Sequence, residues 1–413
     1  MARARSAFFL FVVASGCNVY GPGLLTGDGG GVDGPAEACT MQCGGKCTDT
    51  QTDKNNCGAC GKTCETGCSA GVCTPTLLVG GLASPHGLVL NGSQLYVANN
   101  GSINVQTLSK IDGTGLKNYA TNQLLPDRLA ASPTTLFWTN NANNAHPAGG
   151  RVEEEFFDGS FCNTQTSSLF CYMADDLPAP YGIAVQGDTI FITTTASTNK
   201  AGNGCATDAY VNSVLTCSVS FGCAPQTPCG SGGPGVIASG QTQLASVAAD
   251  SNNVYWADTG AHTIRYCPQP NCGVPQTFVQ LGTNASPFDV FSDGTTVYFT
   301  DRTNGTLYAC PTTGCAGKPT VLASNIDDPL LIAADSAAVF VTSYAGGGQN
   351  GVGKGSVVGC ALPCANGVTT IASGLKGPYG IALDSSYVYW SEEGSAGSPA
   401  SVDGQVQKIK RPF

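Results

Sequence analysis

The chain has 413 residues, with 18 Lys and Arg against 28 Asp and Glu, a net charge of −10 and only 11% charged residues. So few cations leave no basic stripe to neutralise phosphates, which excludes nucleic acid as a partner. The 55 Gly and 23 Pro favour many short strands joined by turns over helices, and the length calls for a repetitive architecture, because single cores stop growing beyond roughly 250–300 residues.

Residues 1–17, MARARSAFFLFVVASGC, have the form of an export signal. Arg3 and Arg5 supply the positive end, and Ala7 to Gly16 form an apolar stretch too short to span a bilayer. Ala14-Ser15-Gly16-Cys17 resembles a bacterial lipobox, with Ala14 where that motif usually has Leu. The resemblance implies that Cys17 is lipidated and anchors the chain to the cell envelope, at the outer membrane or cell surface; ordinary signal cleavage is the alternative. Of the 21 Cys, removal of Cys17 leaves twenty, an even set that reads as a disulfide framework in an exported chain. Residues 18–37, rich in Gly and Pro and without apolar periodicity, read as a flexible tether.

Residues 38–73 hold eight Cys. So short a segment cannot bury enough apolar surface, and disulfides would replace a core. The stretch DKNNCGACGKTCETGCSAGVC resembles the cysteine-rich stigma-specific-protein-like module. Cys57-Gly-Ala-Cys60 also has the spacing of half a zinc site, but the export signal favours disulfides.

From residue 74 to residue 413 the chain is repetitive. An aromatic couplet such as Val254-Tyr255-Trp256-Ala257-Asp258 or Val297-Tyr298-Phe299-Thr300-Asp301 occurs seven times. Its first aromatic falls at Tyr96, Phe137, Phe191, Tyr255, Tyr298, Phe340 and Tyr389, with spacings of 41, 54, 64, 43, 42 and 49. Most couplets are preceded by a Pro-led run of small residues, from PHGLVL at Pro85 to PYGIAL at Pro378; the fourth repeat has QLASVAAD instead. Periods of this size, with four strands in each, predict an all-β, seven-bladed β-propeller with the small-residue strand innermost. The seventh repeat ends after its third strand, GQVQKIK, whereas TPTLLVGGL at Thr74 reads as an outer strand without a blade. Pairing the two would close the ring and remove an exposed edge. The repeats resemble YWTD-type, NHL-type and virginiamycin B lyase-like propellers, a likeness specific for fold and poor for function.

The pairs Cys223/Cys229, Cys267/Cys272, Cys310/Cys315 and Cys360/Cys364 follow third strands, Cys162/Cys171 holds the same place in the second repeat, and Cys205 with Cys217 remains. Each pair near a third strand is expected to staple the turn to the fourth. Long second-to-third connections at 141–150, 196–212, 344–355 and 393–404 fall on the opposite face, where recognition is expected.

Around the centre of that face the residues following each Pro are expected to converge: His86, Asp127, Tyr181, Phe288, Leu330 and Tyr379, with Arg128 and Asp289 one position further. Aromatic platforms with a few polar groups suit a small ligand or a sugar ring; alternatively the large side chains simply plug the channel. Asp258, Asp301 and Glu392 end second strands, and the YWTD-type resemblance implies a structural role for such residues. Asp127 and Asp289 are the candidate ligands should calcium or magnesium bind; no cofactor is otherwise indicated. Virginiamycin B lyase-like enzymes use His and Glu with a divalent cation in the central cavity, so that resemblance makes His86 the catalytic candidate, although no acid partner can be placed from the sequence. No GxSxG, HExxH or phosphate-binding Gly loop is present. The expected function is that of an anchored binding module for a protein or carbohydrate partner. The alternative is a metal-assisted lyase or lactonase of virginiamycin B lyase or gluconolactonase type.

Overall fold

The computed structural model describes residues 41–141, 150–158, 171–195, 210–220, 234–269, 272–345, 353–395 and 402–413, less the side chains of 171–173, 175 and 176. Among these residues there are no α-helices, and seven four-stranded antiparallel sheets stand around a common axis. The innermost strands, in blade order, are Pro85–Asn91, Pro126–Ala131, Pro180–Gln186, Leu244–Ala249, Pro287–Ser292, Pro329–Ala334 and Pro378–Leu383. Each touches the innermost strand of the next blade, and the seventh touches the first.

The couplets are aromatic because the second strand of each blade is buried on both faces. Thr135–Asn140 and Ala338–Ser343 are buried along their whole length. The largest fully buried side chains, among them Trp138, Trp256, Trp390, Tyr255, Tyr389, Phe299 and Phe340, come mainly from these strands. They fill the space between neighbouring blades, as where Phe340 and Val357 of blade six pack with Ile381 and Trp390 of blade seven. Burial at this density supplies most of the stabilisation.

The small hydroxyl residue near the end of the couplet links the blades. Thr342 Oγ1 accepts the Leu331 N–H of its own blade at 3.1 Å and donates to the Tyr379 carbonyl of the next at 2.9 Å. Thr139, Thr193, Thr300 and Ser391 repeat the arrangement. Blades one and four, with Ala98 and Ala257 at this place, lack the hydroxyl.

Blade seven is built from both ends of the propeller. Gly404–Lys410 pairs with Thr76–Leu82, with Val406 opposite Val79 and Gln407 opposite Leu77. In the cysteine-rich module Cys43 is bonded to Cys60, Cys57 to Cys68 and Cys64 to Cys73, and Cys47 is disulfide-bonded as well. Cys57 and Cys60 thus bond to different partners, which rules out their use as a zinc half-site. The module docks on blade seven, where the Tyr387 hydroxyl donates to Glu65 at 2.7 Å. On the propeller, Cys267–Cys272, Cys310–Cys315 and Cys360–Cys364 each join the end of a third strand to the turn that follows. Cys217 is also disulfide-bonded. Cys17, Cys39, Cys162, Cys205, Cys223 and Cys229 lie outside the described residues, as does the Cys171 side chain.

Candidate functional site

The site begins with a backbone irregularity that all seven blades share. Pairing between first and second strands shifts register just after the leading residue, between Pro85 and Leu88, between Pro378 and Ile381, and equivalently in the other five. Such a bulge frees two residues from the ladder and re-aims their side chains. The freed positions include His86, Asp127–Arg128, Tyr181, Phe288–Asp289, Leu330 and Tyr379. Where the second of them is Gly380, a Cβ would lie 2.1 Å from the His86 carbonyl oxygen, so a side chain there would drive the two blades apart.

His86 is held on both sides. Its Nδ1 lies 2.8 Å from Asp127 Oδ1 and its Nε2 3.0 Å from Glu393 Oε1. Its ring stacks on Tyr379 at 4.3 Å with 15° between planes. Burial works against the imidazolium, but hydrogen bonds and charge from the two carboxylates outweigh it and raise the pKa to about 9. Both ring nitrogens therefore carry hydrogens and donate. Burial likewise opposes ionisation of Asp127, yet the bond to His86 and the nearby positive charges hold its carboxyl below the usual range. The other Glu393 oxygen accepts from the Tyr344 hydroxyl at 2.5 Å.

Beside this ion triad, Arg128 Nη2 donates to the Tyr181 hydroxyl at 2.9 Å, and that hydroxyl lies 3.0 Å from the Tyr379 hydroxyl. The guanidinium carbon sits 4.9 Å from the Tyr181 ring centre, 5.2 Å from Tyr379 and 5.9 Å from Phe288. Cations and aromatic rings thus cluster at the axis.

Two separate cavities adjoin this cluster. The front cavity, about 640 Å³, lies over blades four and five, with Tyr181, Phe288, Leu330 and Tyr379 in its lining together with Arg302, Tyr344, His262 and Asn284. A second cavity, about 370 Å³, is lined by Arg128, Asp289, Ser246 and the aliphatic residues of the inner strands. Of the candidate residues, then, four aromatic or aliphatic ones face the front cavity, Arg128 and Asp289 face the other, and His86 and Asp127 line neither. His86 is enclosed because both its nitrogens and one ring face are already occupied.

Asp127 and Asp289, the candidate metal ligands, have different surroundings: Asp127 bonds His86, whereas Asp289 lines the second cavity. Asp289 accepts the Ile332 N–H at 2.8 Å, and burial pushes its carboxyl up although Arg128 opposes the shift. Among the described residues, the only group of three or more Cys, His, Asp or Glu ligand atoms within 4.8 Å of one another is that of Cys57, Cys64 and Cys73, whose sulfurs are in disulfides. Among the described residues no other group of such ligand atoms gathers as the divalent-ion site implied by the lyase-like resemblance would require. Asp258, Asp301 and Glu392 bind backbone: Asp258 accepts from Thr242, Gln243 and Ala261, Asp301 from Ser286 and Asn304, and Glu392 from Lys376. They fix the connections between blades.

The sequence does not single out Arg302 or Asn284, and it marks Tyr344 and Glu393 only as the first residues of connections on the recognition face, not as members of the central cluster. Glu393 directly follows the strand-ending Glu392 and opens the 393–404 connection, but neither fact points to His86 as its partner. Arg302 is paired bidentately with Asp328, at 2.5 and 2.7 Å, and lies 4.7 Å over Phe288. His262 turns its Nδ1 to the Ala285 carbonyl at 2.5 Å. His146 and at least half of each long connection on this face lie outside the described residues.

Solved structures place the fold among known propellers. The chain is similar to virginiamycin B lyase from Staphylococcus aureus, at 14% identity and a TM-score of 0.53 over 81% of this chain and 97% of that one. A catalytically inactive variant of that lyase with quinupristin gives 14% and 0.54 over 82% and 98%. A streptogramin B lyase gives 13% and 0.53 over 82% and 97%. Likeness at this identity is a likeness of fold. No family model matches the sequence, and no curated protein matches it.

Proposed function

We propose that this chain is an exported, lipid-anchored β-propeller that captures a ligand or protein partner at the bacterial cell envelope through its front face. The observation that carries the reading is the front cavity itself. It has the volume of a small-ligand site, roughly 300–1,000 Å³, with aromatic rings on its floor and hydroxyl and amide groups around it. The signal-like residues 1–17, with Cys17 at the lipobox position, and the Gly-rich tether to residue 37 support presentation away from a membrane surface.

The fold likeness to virginiamycin B lyase and the 3.0 Å approach of Glu393 to His86 favour a second reading, a lyase or lactonase in the central cavity. It is the weaker one. A general base needs a free lone pair, and His86 is held as an imidazolium that donates to two carboxylates. Metal analysis and lactone turnover by the purified protein test it directly: stoichiometric divalent metal with turnover lost in His86→Ala would establish it.

The binding reading is tested by using the purified protein as bait for envelope extract. Tyr344→Ala and Phe288→Ala should lose the retained partner, while Thr312→Ala at a rear turn should keep it. Equal retention by all three would refute the face assignment. Incorporation of labelled palmitate, lost in Cys17→Ser, tests the anchor.

A further inference from the structure

We propose that the front cavity binds a neutral oligosaccharide. The inference rests on the binding reading above and narrows it to one chemistry. Arg302 and Glu393, the charged groups beside Phe288 and Tyr344, are already paired within the protein. Arg302 is held by both oxygens of Asp328, and Glu393 is shared between His86 and the Tyr344 hydroxyl. Arg128, which donates to the Tyr181 hydroxyl, faces the second cavity, so an anionic ligand meets no unpaired Arg or Lys among the described residues of the front cavity's own lining and approaches a chain of net charge −10. A cationic ligand approaches rings that already have cations beside them, with Arg128 near Tyr181 and Tyr379 and His86 stacked on Tyr379. The ring faces that would take a ligand cation are thus already occupied.

What the cavity leaves available is uncharged. The Asn284 amide and the hydroxyls of Thr283 and Thr303 line it, are exposed, and make no side-chain hydrogen bond to another described residue. They provide both donors and acceptors. Phe288 and the tyrosines offer flat apolar surface beside them. A pyranose ring combines an apolar C–H face with a rim of neutral hydroxyls, and that pairing matches rings on the floor and amide and hydroxyl groups at the wall.

The test is calorimetry and saturation-transfer NMR on the full mature chain with cellohexaose, maltohexaose, chitohexaose, hexagalacturonic acid and an uncharged hexapeptide. At least one neutral oligosaccharide should bind, with a Kd that changes less than about twofold between low and high salt, because no ion pair is formed. Phe288→Ala should weaken it at least tenfold. Asn284→Ala and Thr303→Ala, at exposed positions where folding is not at stake, should weaken it several-fold, and Thr312→Ala not at all. Binding of only the galacturonate or only the peptide, sensitive to the same variants, overturns the oligosaccharide assignment and leaves the binding reading standing. So does partner capture that responds to cavity variants while every neutral oligosaccharide fails to bind. Cavity variants that change neither capture nor any probe overturn both.

Discussion

The triad of His86, Asp127 and Glu393 makes stability depend on pH in a window where few other groups titrate. The imidazole pKa rises from 6.5 to about 9 on folding. At 1.36 kcal/mol per unit this corresponds to about 3 kcal/mol, and His86 is only 15% exposed, so solvent screens it little. Because the folded value is the higher one, the contribution is fully present below pH about 6.5 and is lost as pH rises through about 9. For a propeller of this size, with an unfolding entropy of roughly 2.1 cal/mol/K per residue, the loss amounts to a fall of about 4 °C in Tm. The assay is thermal unfolding at constant ionic strength from pH 6 to 9.5, disulfides intact, for the native chain and for His86→Gln. Burial also pushes Glu154 and Glu155 up to about 7, so they ionise in the lower part of this window and add a slope that fades above about pH 7, but that slope is common to both proteins and cancels in their difference. The variant should lose the His86 part of the slope between pH 6.5 and 9. It should also gain stability on acidification below neutrality, because Asp127 without its imidazolium is a buried carboxylate that favours protonation. Equal Tm differences for the two proteins between pH 6.5 and 9 would refute the account of His86 as a buried imidazolium.

Three further expectations concern the scaffold. Gly380→Ala places a Cβ 2.1 Å from the His86 carbonyl oxygen and should cost more than about 2 kcal/mol in denaturant unfolding, whereas Gly273→Ala, with open space around it, should be silent. Thr342→Val leaves the Leu331 N–H and the Tyr379 carbonyl without their shared partner and should cost about 1–3 kcal/mol, while Thr342→Ser should recover most of it. Replacing Cys310 and Cys315 by Ser opens a loop with a sequence separation of 5 and should cost no more than about 2 kcal/mol by loop entropy; a larger loss in calorimetry would mean that the bond does more than staple one turn.

The amount that could be read in advance follows from how each feature is encoded. The couplets announce themselves because a strand buried on both faces must be aromatic and β-branched at nearly every position, and seven copies make the pattern unmistakable. The borrowed strand at Thr76–Leu82 was legible because an incomplete seventh repeat and an unassigned first strand needed each other. His86, Asp127 and Tyr379 could be grouped from their shared place in the bulge, but Glu393 could not be joined to His86, since it stands outside the repeated motif, just past the end of a second strand and 307 positions from His86 in sequence.

The sequence alone determined the periodic part of this protein: seven blades, their strand order, the closure between the ends and the disulfide-bonded character of the module. Repetition carries that information, because each copy must satisfy the same burial and the same turns. The tertiary structure alone decided which central residues face which cavity, that His86 is locked between two carboxylates, and that the opening lies over blades four and five. These outcomes depend on side-chain direction at seven bulges and on the charges that meet across the axis, and neither is periodic along the chain.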